Sequence, residues 1–227
     1  MPFTEGQFFN VFRDYNLAVW PVQWILISLA VLAIGLAARG ASARTSNLIL
    51  ALLWAWMAIA YHFTFFARIN PAAIWFGVAF LIQAALFFRY GVARCRIRFR
   101  ARGDLRTLLG FGFMVYALLL YPALGHLLGR HYPAMPTFGL PCPTTIFTLG
   151  LLLWSDPPVA RLLLIIPALW SLLGFSAALS LGMTEDYGLL VAGILATTLL
   201  FFARPHHNGR NAHDAAGAVF AARAAHE

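Results

Sequence analysis

Apolar runs of about 20 residues recur along the whole of this chain, and a water-soluble fold has no interior large enough to hide them all. An α-helix rises about 1.5 Å per residue, so each run matches the hydrocarbon thickness of a bilayer, about 30 Å. With 61% hydrophobic and 11% charged residues in a chain of 227, and a mean hydropathy of +0.76, much of the surface must be solvated by lipid. The expected fold is all-α, a polytopic membrane helix bundle of seven transmembrane helices at residues 17–38, 47–67, 71–92, 105–129, 138–155, 157–182 and 187–203. Residues 1–16 then form a lead segment, 17–203 the membrane domain and 204–227 a tail, with no separate soluble domain.

Local chemistry agrees with these spans. Thr4-Glu5-Gly6-Gln7 has the form of a capping box, and Phe8, Val11, Phe12 and Tyr15 follow at helical spacing, which predicts a short amphipathic helix in the membrane interface. Ser46, Asn70, Asp104, Asp156 and Thr184 have the chemistry of N-caps, and Pro71 and Pro157 suit a first helical turn, where a missing N–H costs nothing. Pro122 and Pro167 fall inside spans, where each bends its helix and frees a carbonyl. Gly125 and Gly129, and separately Gly174, Ala178 and Gly182, repeat every four residues and predict close helix approach.

The +8 formal charge does not point to nucleic acid, because the arginines sit in short segments between apolar runs and there set orientation. One side of the seven-span map holds Arg39, Arg44, the run from Arg89 to Arg106, Arg161, Arg204, Arg210 and Arg223; the other holds Arg13, Arg68 and Arg130, which is thirteen against three. That asymmetry places the N-terminus outside, the tail in the cytoplasm and the protein in a bacterial-type inner membrane, with the Arg89–Arg106 loop against anionic lipid. Trp20, Trp24 and Trp75 then fall near the outer interface and Trp154 near the inner one. The fifth span is short and opens with Pro133, Pro136, Pro141 and Pro143, so the alternative is six spans plus a re-entrant segment. In that alternative the Arg-bearing tail would lie outside, against the charge rule.

Polar side chains inside apolar spans are expensive, and their positions point to function. On this map Gln23, His62, His126 and Cys142 lie toward the outer leaflet, Glu185 and Asp186 at the outer surface, and Gln83 deeper. The candidate ligand-binding residues of a cavity opening outward are therefore Gln23, His62, Gln83, His126, Cys142 and Thr144. His62, His126 and Cys142 also supply imidazole and thiolate, ligands suited to copper, zinc or haem iron, although no local His-x-x-x-His or Cys-x-x-Cys pair occurs in the spans. Cys142, between Pro141 and Pro143, reads as the start of a helix, and a rigid turn accounts for it without catalysis. The histidines of the tail, His206, His207, His213 and His226, read as a solvated segment.

The segments Met1-Pro2-Phe3-Thr4, Ala60-Tyr61-His62, Ile69-Asn70-Pro71-Ala72-Ala73 and, most specifically, the stretch from Pro136 through Phe147 carry a resemblance along the whole chain. The protein resembles a family of bacterial integral-membrane proteins of unknown function. That resemblance implies a small single-domain membrane protein of about this length and assigns neither activity nor cofactor. Three classes of function compete: small-molecule or ion binding and transport through an outward-facing cavity, a metal- or haem-binding redox protein or enzyme, and a structural membrane subunit. Enzyme chemistry ranks below binding. The chain has no lysine to carry a retinal Schiff base and no Walker-type loop, and residues 187–203 lack the histidine pair of the seven-span zinc hydrolases related to alkaline ceramidase.

Overall fold

The structure, a computed structural model, describes residues 2–156 and 159–203; the tail and Pro157 lie outside the described residues. It is 75% helical, without strands among those residues. The helices are α1 (Glu5–Ala18), α2 (Val22–Ala38), α3 (Ala43–Trp56), α4 (Ala73–Leu86), α5 (Leu105–Val115), α6 (Tyr121–Leu127), α7 (Pro141–Leu153), α8 (Leu162–Leu181) and α9 (Tyr187–Phe201). Wider π-helical turns extend α3 over Met57–Phe63 and α4 over Phe87–Ala93, and another, Tyr116–Leu120, joins α5 to α6. Among the described residues, five continuous helices are long and apolar enough to cross a membrane, and a sixth results if α1 and α2, bent by 85°, are one broken span.

Several starts follow the expected chemistry. Thr4 and Gln7 close both halves of the capping box of α1, and Asp104 accepts from the Thr107 N–H at 2.8 Å to cap α5. Elsewhere the boundaries shift. α3 begins at Ala43, which buries Ser46 within the helix, and α8 begins at Leu162, while Asp156 pairs with Arg102. The Tyr116–Leu120 π-turn ends just before Pro122, whose ring would crowd the carbonyl of Leu118 in a regular turn.

α7 is the centre of the bundle. At 13 residues it measures about 20 Å, yet every side chain in it except Cys142 is buried, so it is covered on all faces, with α5, α8 and α9 around it. α5 touches it backbone to backbone, with the Gly110 and Gly150 carbonyls each packed against the other glycine. The expected glycine approach is found at Gly174, where an added Cβ would lie 2.8 Å from Leu189, but Gly125 and Gly129 are not tightly packed.

Polar side chains point into this bundle and large apolar ones point out. Asn16, Gln23, Asn47, His62, Gln83, Glu185 and Asp186 are buried, whereas Leu52, Ile59, Trp75, Leu108, Leu119, Leu169 and Ile194 are exposed. The connections sort to two ends. Arg98 and Arg100 exchange backbone hydrogen bonds with Asp156 and Trp154 beyond the C-terminus of α7, and Arg44 reaches Cys95 at the same end. Arg96, Arg98 and Arg100 stay exposed while Ile97 and Phe99 turn inward. Trp154, expected at an interface, is instead buried and donates to Thr107 O at 2.8 Å. Trp20, Trp24 and Trp75 are all exposed.

Pro167 lies inside α8, and its missing N–H frees the carbonyl of Leu163, four residues earlier. Gln83 of α4 donates its amide to that oxygen at 3.0 Å. Removing the amide with Gln83→Leu is expected to cost about 1–2 kcal/mol. In a Pro167→Ala background, where the backbone N–H returns, the same change is expected to cost less. Thermal unfolding of the four proteins in detergent measures this coupling, and equal costs in both backgrounds would refute the assignment.

Candidate functional site

Beside the N-terminus of α7, at the end opposite the arginine-rich segment, the helices enclose a cavity of about 220 Å³. Phe8 and Phe12 of α1, Tyr61 and Phe66 beyond α3, Phe76 of α4 and Trp170 of α8 form its aromatic walls. Tyr61 and Phe66 are stacked with centroids 5.5 Å apart, and Phe76 meets Trp170 edge-on at 5.5 Å. Tyr121, Cys142 and Asp186 supply the polar floor.

The floor depends on how α8 ends. Gly182 takes φ +63° as the left-handed cap of that helix, a conformation open to glycine without strain, and the short 3₁₀ turn Thr184–Asp186 follows. That turn carries both acidic side chains inward. Glu185 and Asp186, expected at the outer surface, are in fact 0% and 2% exposed. Arg130 donates from one guanidinium nitrogen to both Glu185 carboxylate oxygens, at 3.1 and 2.8 Å, and from the other to Gly182 O at 2.6 Å. Asp186 has a different environment: Tyr121 donates its hydroxyl to Oδ1 at 2.6 Å, and the Cys142 thiol lies alongside. No cation lies within ion-pair distance of Asp186 among the described residues. Gly174 keeps α8 close enough for this arrangement: the position its Cβ would occupy is 3.5 Å from Cys142 Sγ and 3.6 Å from Trp170 Nε1.

Of the six candidate ligand residues, Cys142 alone lines the cavity. Gln23 instead holds the α1–α2 corner by donating to Asn16 O at 3.0 Å. Asn16, which the sequence did not single out, donates to the carbonyls of Pro133 and Met135 and accepts from Thr137. Gln83 serves the α8 carbonyl left free by Pro167, and Thr144 accepts from the Gly139 N–H at 3.1 Å in the turn that starts α7. His126 is exposed, with its Nδ1 3.1 Å from that of His131. His62 stands behind the cavity wall, its ring 4.6 Å from Phe80 and 5.3 Å from Trp170, and neither of its nitrogens has a partner.

The proposed metal ligands are therefore separated, and no group of three His, Cys, Asp or Glu side chains among the described residues could hold a metal ion. Cys95 and Cys142 are both free thiols. The model of a family of unknown function, DUF6064, matches residues 5–211. The chain belongs to that family. Comparison with curated proteins and with solved structures returned no match. In this DUF6064 chain, the residues that meet at the cavity floor come from the α6, α7 and α9 regions, far apart in sequence, and no short motif joins them.

Proposed function

We propose that this DUF6064 protein is a multi-pass protein of a bacterial inner membrane that binds a small, mostly apolar molecule in a cavity facing the outside. The cavity itself carries this reading. Aromatic and aliphatic walls converge on a few polar groups, the composition expected of a small-molecule site. The outward Leu, Ile, Phe and Trp side chains support lipid as the surrounding medium. In this reading α2 is the first span, α1 lies in the interface, and α7 is the fifth of seven spans, shielded by its neighbours where it falls short of the bilayer thickness. The arginine-rich end faces the cytoplasm and its Arg89–Arg106 segment meets anionic lipid, with the N-terminus outside.

Binding is favoured over open permeation. A second cavity, of about 390 Å³, lies at the arginine-rich end beside Tyr90, Arg96 and Val159. Between the two ends the middle of α7 is packed solid, with Ile146, Phe147, Leu149 and Leu151 fully buried. The metal or haem alternative gains no support from the separated positions of His62, His126 and Cys142.

Native mass spectrometry of the gently purified protein is expected to show a co-purifying small molecule. Ala177→Phe, which fills the cavity from its wall, is expected to remove that molecule while leaving the unfolding midpoint within a few degrees of wild type. Retention of the molecule by this variant would overturn the site. For orientation, a membrane-impermeant maleimide is expected to modify exposed Cys95 only after cells are permeabilised, and labelling of Cys95 in intact cells would reverse the map.

A further inference from the structure

The chemical class of the occupant can be read from what the cavity floor lacks. Two neighbouring carboxylates are buried at the start of α9, and they are treated differently. Glu185 has a guanidinium across both oxygens. Asp186 faces the cavity, accepts from Tyr121 through Oδ1, lies against the Cys142 thiol, and has no ion-pair partner among the described residues. Arg130, the one nearby cation among the described residues, is committed to Glu185, so keeping charge on Asp186 is costly, and a cation in the adjoining space offsets part of that cost. The walls suit the same partner, since the faces of Tyr, Phe and Trp rings attract an ammonium group through their quadrupole.

A second, independent polar group constrains the ligand further. Trp170 is 9% exposed, lines the cavity, and its Nε1–H faces only the Cys142 sulfur, a weak acceptor, with no oxygen acceptor among the described residues. Buried indole N–H groups ordinarily find one. Trp170 Nε1 and Cys142 Sγ flank the same point, 3.6 and 3.5 Å from the position of an added Gly174 Cβ, so this weakly satisfied donor sits beside the polar floor. A ligand satisfying both groups needs positive charge for Asp186 and an oxygen acceptor for Trp170 a short distance away.

We propose that the cavity binds a small organic ammonium ion bearing a hydroxyl, ether or carbonyl oxygen, its nitrogen against Asp186 and its oxygen accepting from Trp170. This rests on the reading of the cavity as a ligand site. The same ammonium-and-oxygen chemistry occurs in free amino alcohols and in the headgroup of a zwitterionic lipid, and both can reach a cavity walled partly by the amphipathic α1.

The test uses the full-length protein, delipidated in detergent, titrated by calorimetry with choline, ethanolamine and the uncharged carbon isostere of choline. Either free amine is expected to bind and the isostere to bind at least about tenfold more weakly. Asp186→Asn, which keeps an acceptor for Tyr121, is expected to weaken the amine about tenfold or more, and Trp170→Phe, which keeps the ring wall, about fivefold. Nanodiscs separate the sources. A thermal shift with phosphatidylethanolamine over phosphatidylglycerol, without binding of the free amines, assigns the lipid headgroup; binding of the free amines assigns a soluble ligand. Should the isostere bind as well as choline, or Asp186→Asn bind the amines unchanged, the ammonium assignment falls. If native mass spectrometry finds a neutral or anionic molecule that Ala177→Phe expels, the cavity stands and only its ligand class is wrong. An empty cavity that no ammonium compound enters removes both.

Discussion

Gly150→Val is expected to abolish accumulation of folded protein, and Gly150→Ala to lower its stability by about 2–3 kcal/mol. A Cβ on Gly150 would lie 2.7 Å from Gly110 O, 3.0 Å from Met114 Cγ and 3.1 Å from Met114 N. The reciprocal change at Gly110 would place a carbon 2.5 Å from Gly150 O and 2.8 Å from the Trp154 indole. Three of these obstacles, Gly110 O, Met114 N and Gly150 O, are backbone atoms within regular helices and cannot rotate away, while Trp154 is held by its hydrogen bond to Thr107 O. Relief therefore requires α5 and α7 to separate, which opens the most buried helix of the bundle along its length. Gly112→Ala is the control. It lies two residues from Gly110 in the same helix, nothing stands within 4 Å of its Cβ, and better helix propensity is expected to leave the protein as stable as wild type or more so by up to about 1 kcal/mol. The yield of folded protein reads Gly150→Val, and thermal unfolding followed by near-ultraviolet circular dichroism in detergent reads the two alanine variants. A Gly150→Ala protein that melts with wild type would mean that α5 and α7 do not meet in this way.

The contrast between those glycines shows what a single sequence can and cannot carry. Gly174 belongs to a repeat within one helix, so its role was visible in the spacing. Gly110 and Gly150 form their contact across two helices, and no spacing within either one marks it. The apolar runs, the caps at Thr4 and Asp104 and the carbonyl freed by Pro167 were legible because each is a property of consecutive residues. α7 was expected to run over 138–155 and is shorter, Pro141–Leu153, because the preceding turn is held by hydrogen bonds from Tyr15 and Asn16, more than a hundred residues earlier.

The candidate site was harder to see for a related reason. Hydropathy ranks an intramembrane Gln or His as costly but does not say which neighbour satisfies it, so Gln23, Gln83 and Thr144 looked like ligand residues and are hydrogen-bond partners of backbone groups. Glu185 and Asp186 looked solvated because they stand at the end of an apolar run, yet the left-handed turn at Gly182 folds them under α6. Tyr121 and Trp170 looked like ordinary aromatic residues of a span. One signal for the carboxylates was available: the chain has only eight acidic residues, and two of them are adjacent, beginning three residues after a glycine that can end a helix.

Arg130→Met is expected to destabilise the protein by about 3–5 kcal/mol, more than removal of the pair to which Arg130 belongs. Glu185 is fully buried and the Arg130 side chain 15% exposed, so deleting the arginine strands a carboxylate in the interior. Deleting the carboxylate instead, with Glu185→Leu, leaves a guanidinium that retains Gly182 O and can turn toward water, at an expected cost of about 1–2 kcal/mol. The double variant Arg130→Met with Glu185→Leu removes both charges and keeps their volume, and it is expected to recover most of the stability lost in Arg130→Met. The Tyr116 hydroxyl donates to the Glu185 backbone carbonyl at 2.6 Å, so that contact survives in all three proteins and the cycle isolates the charges. Unfolding midpoints in detergent at one ionic strength provide the measurement. If the double variant is no more stable than Arg130→Met, the loss reflects missing packing by the arginine stem, and Glu185 does not depend on that cation to remain buried beside Asp186.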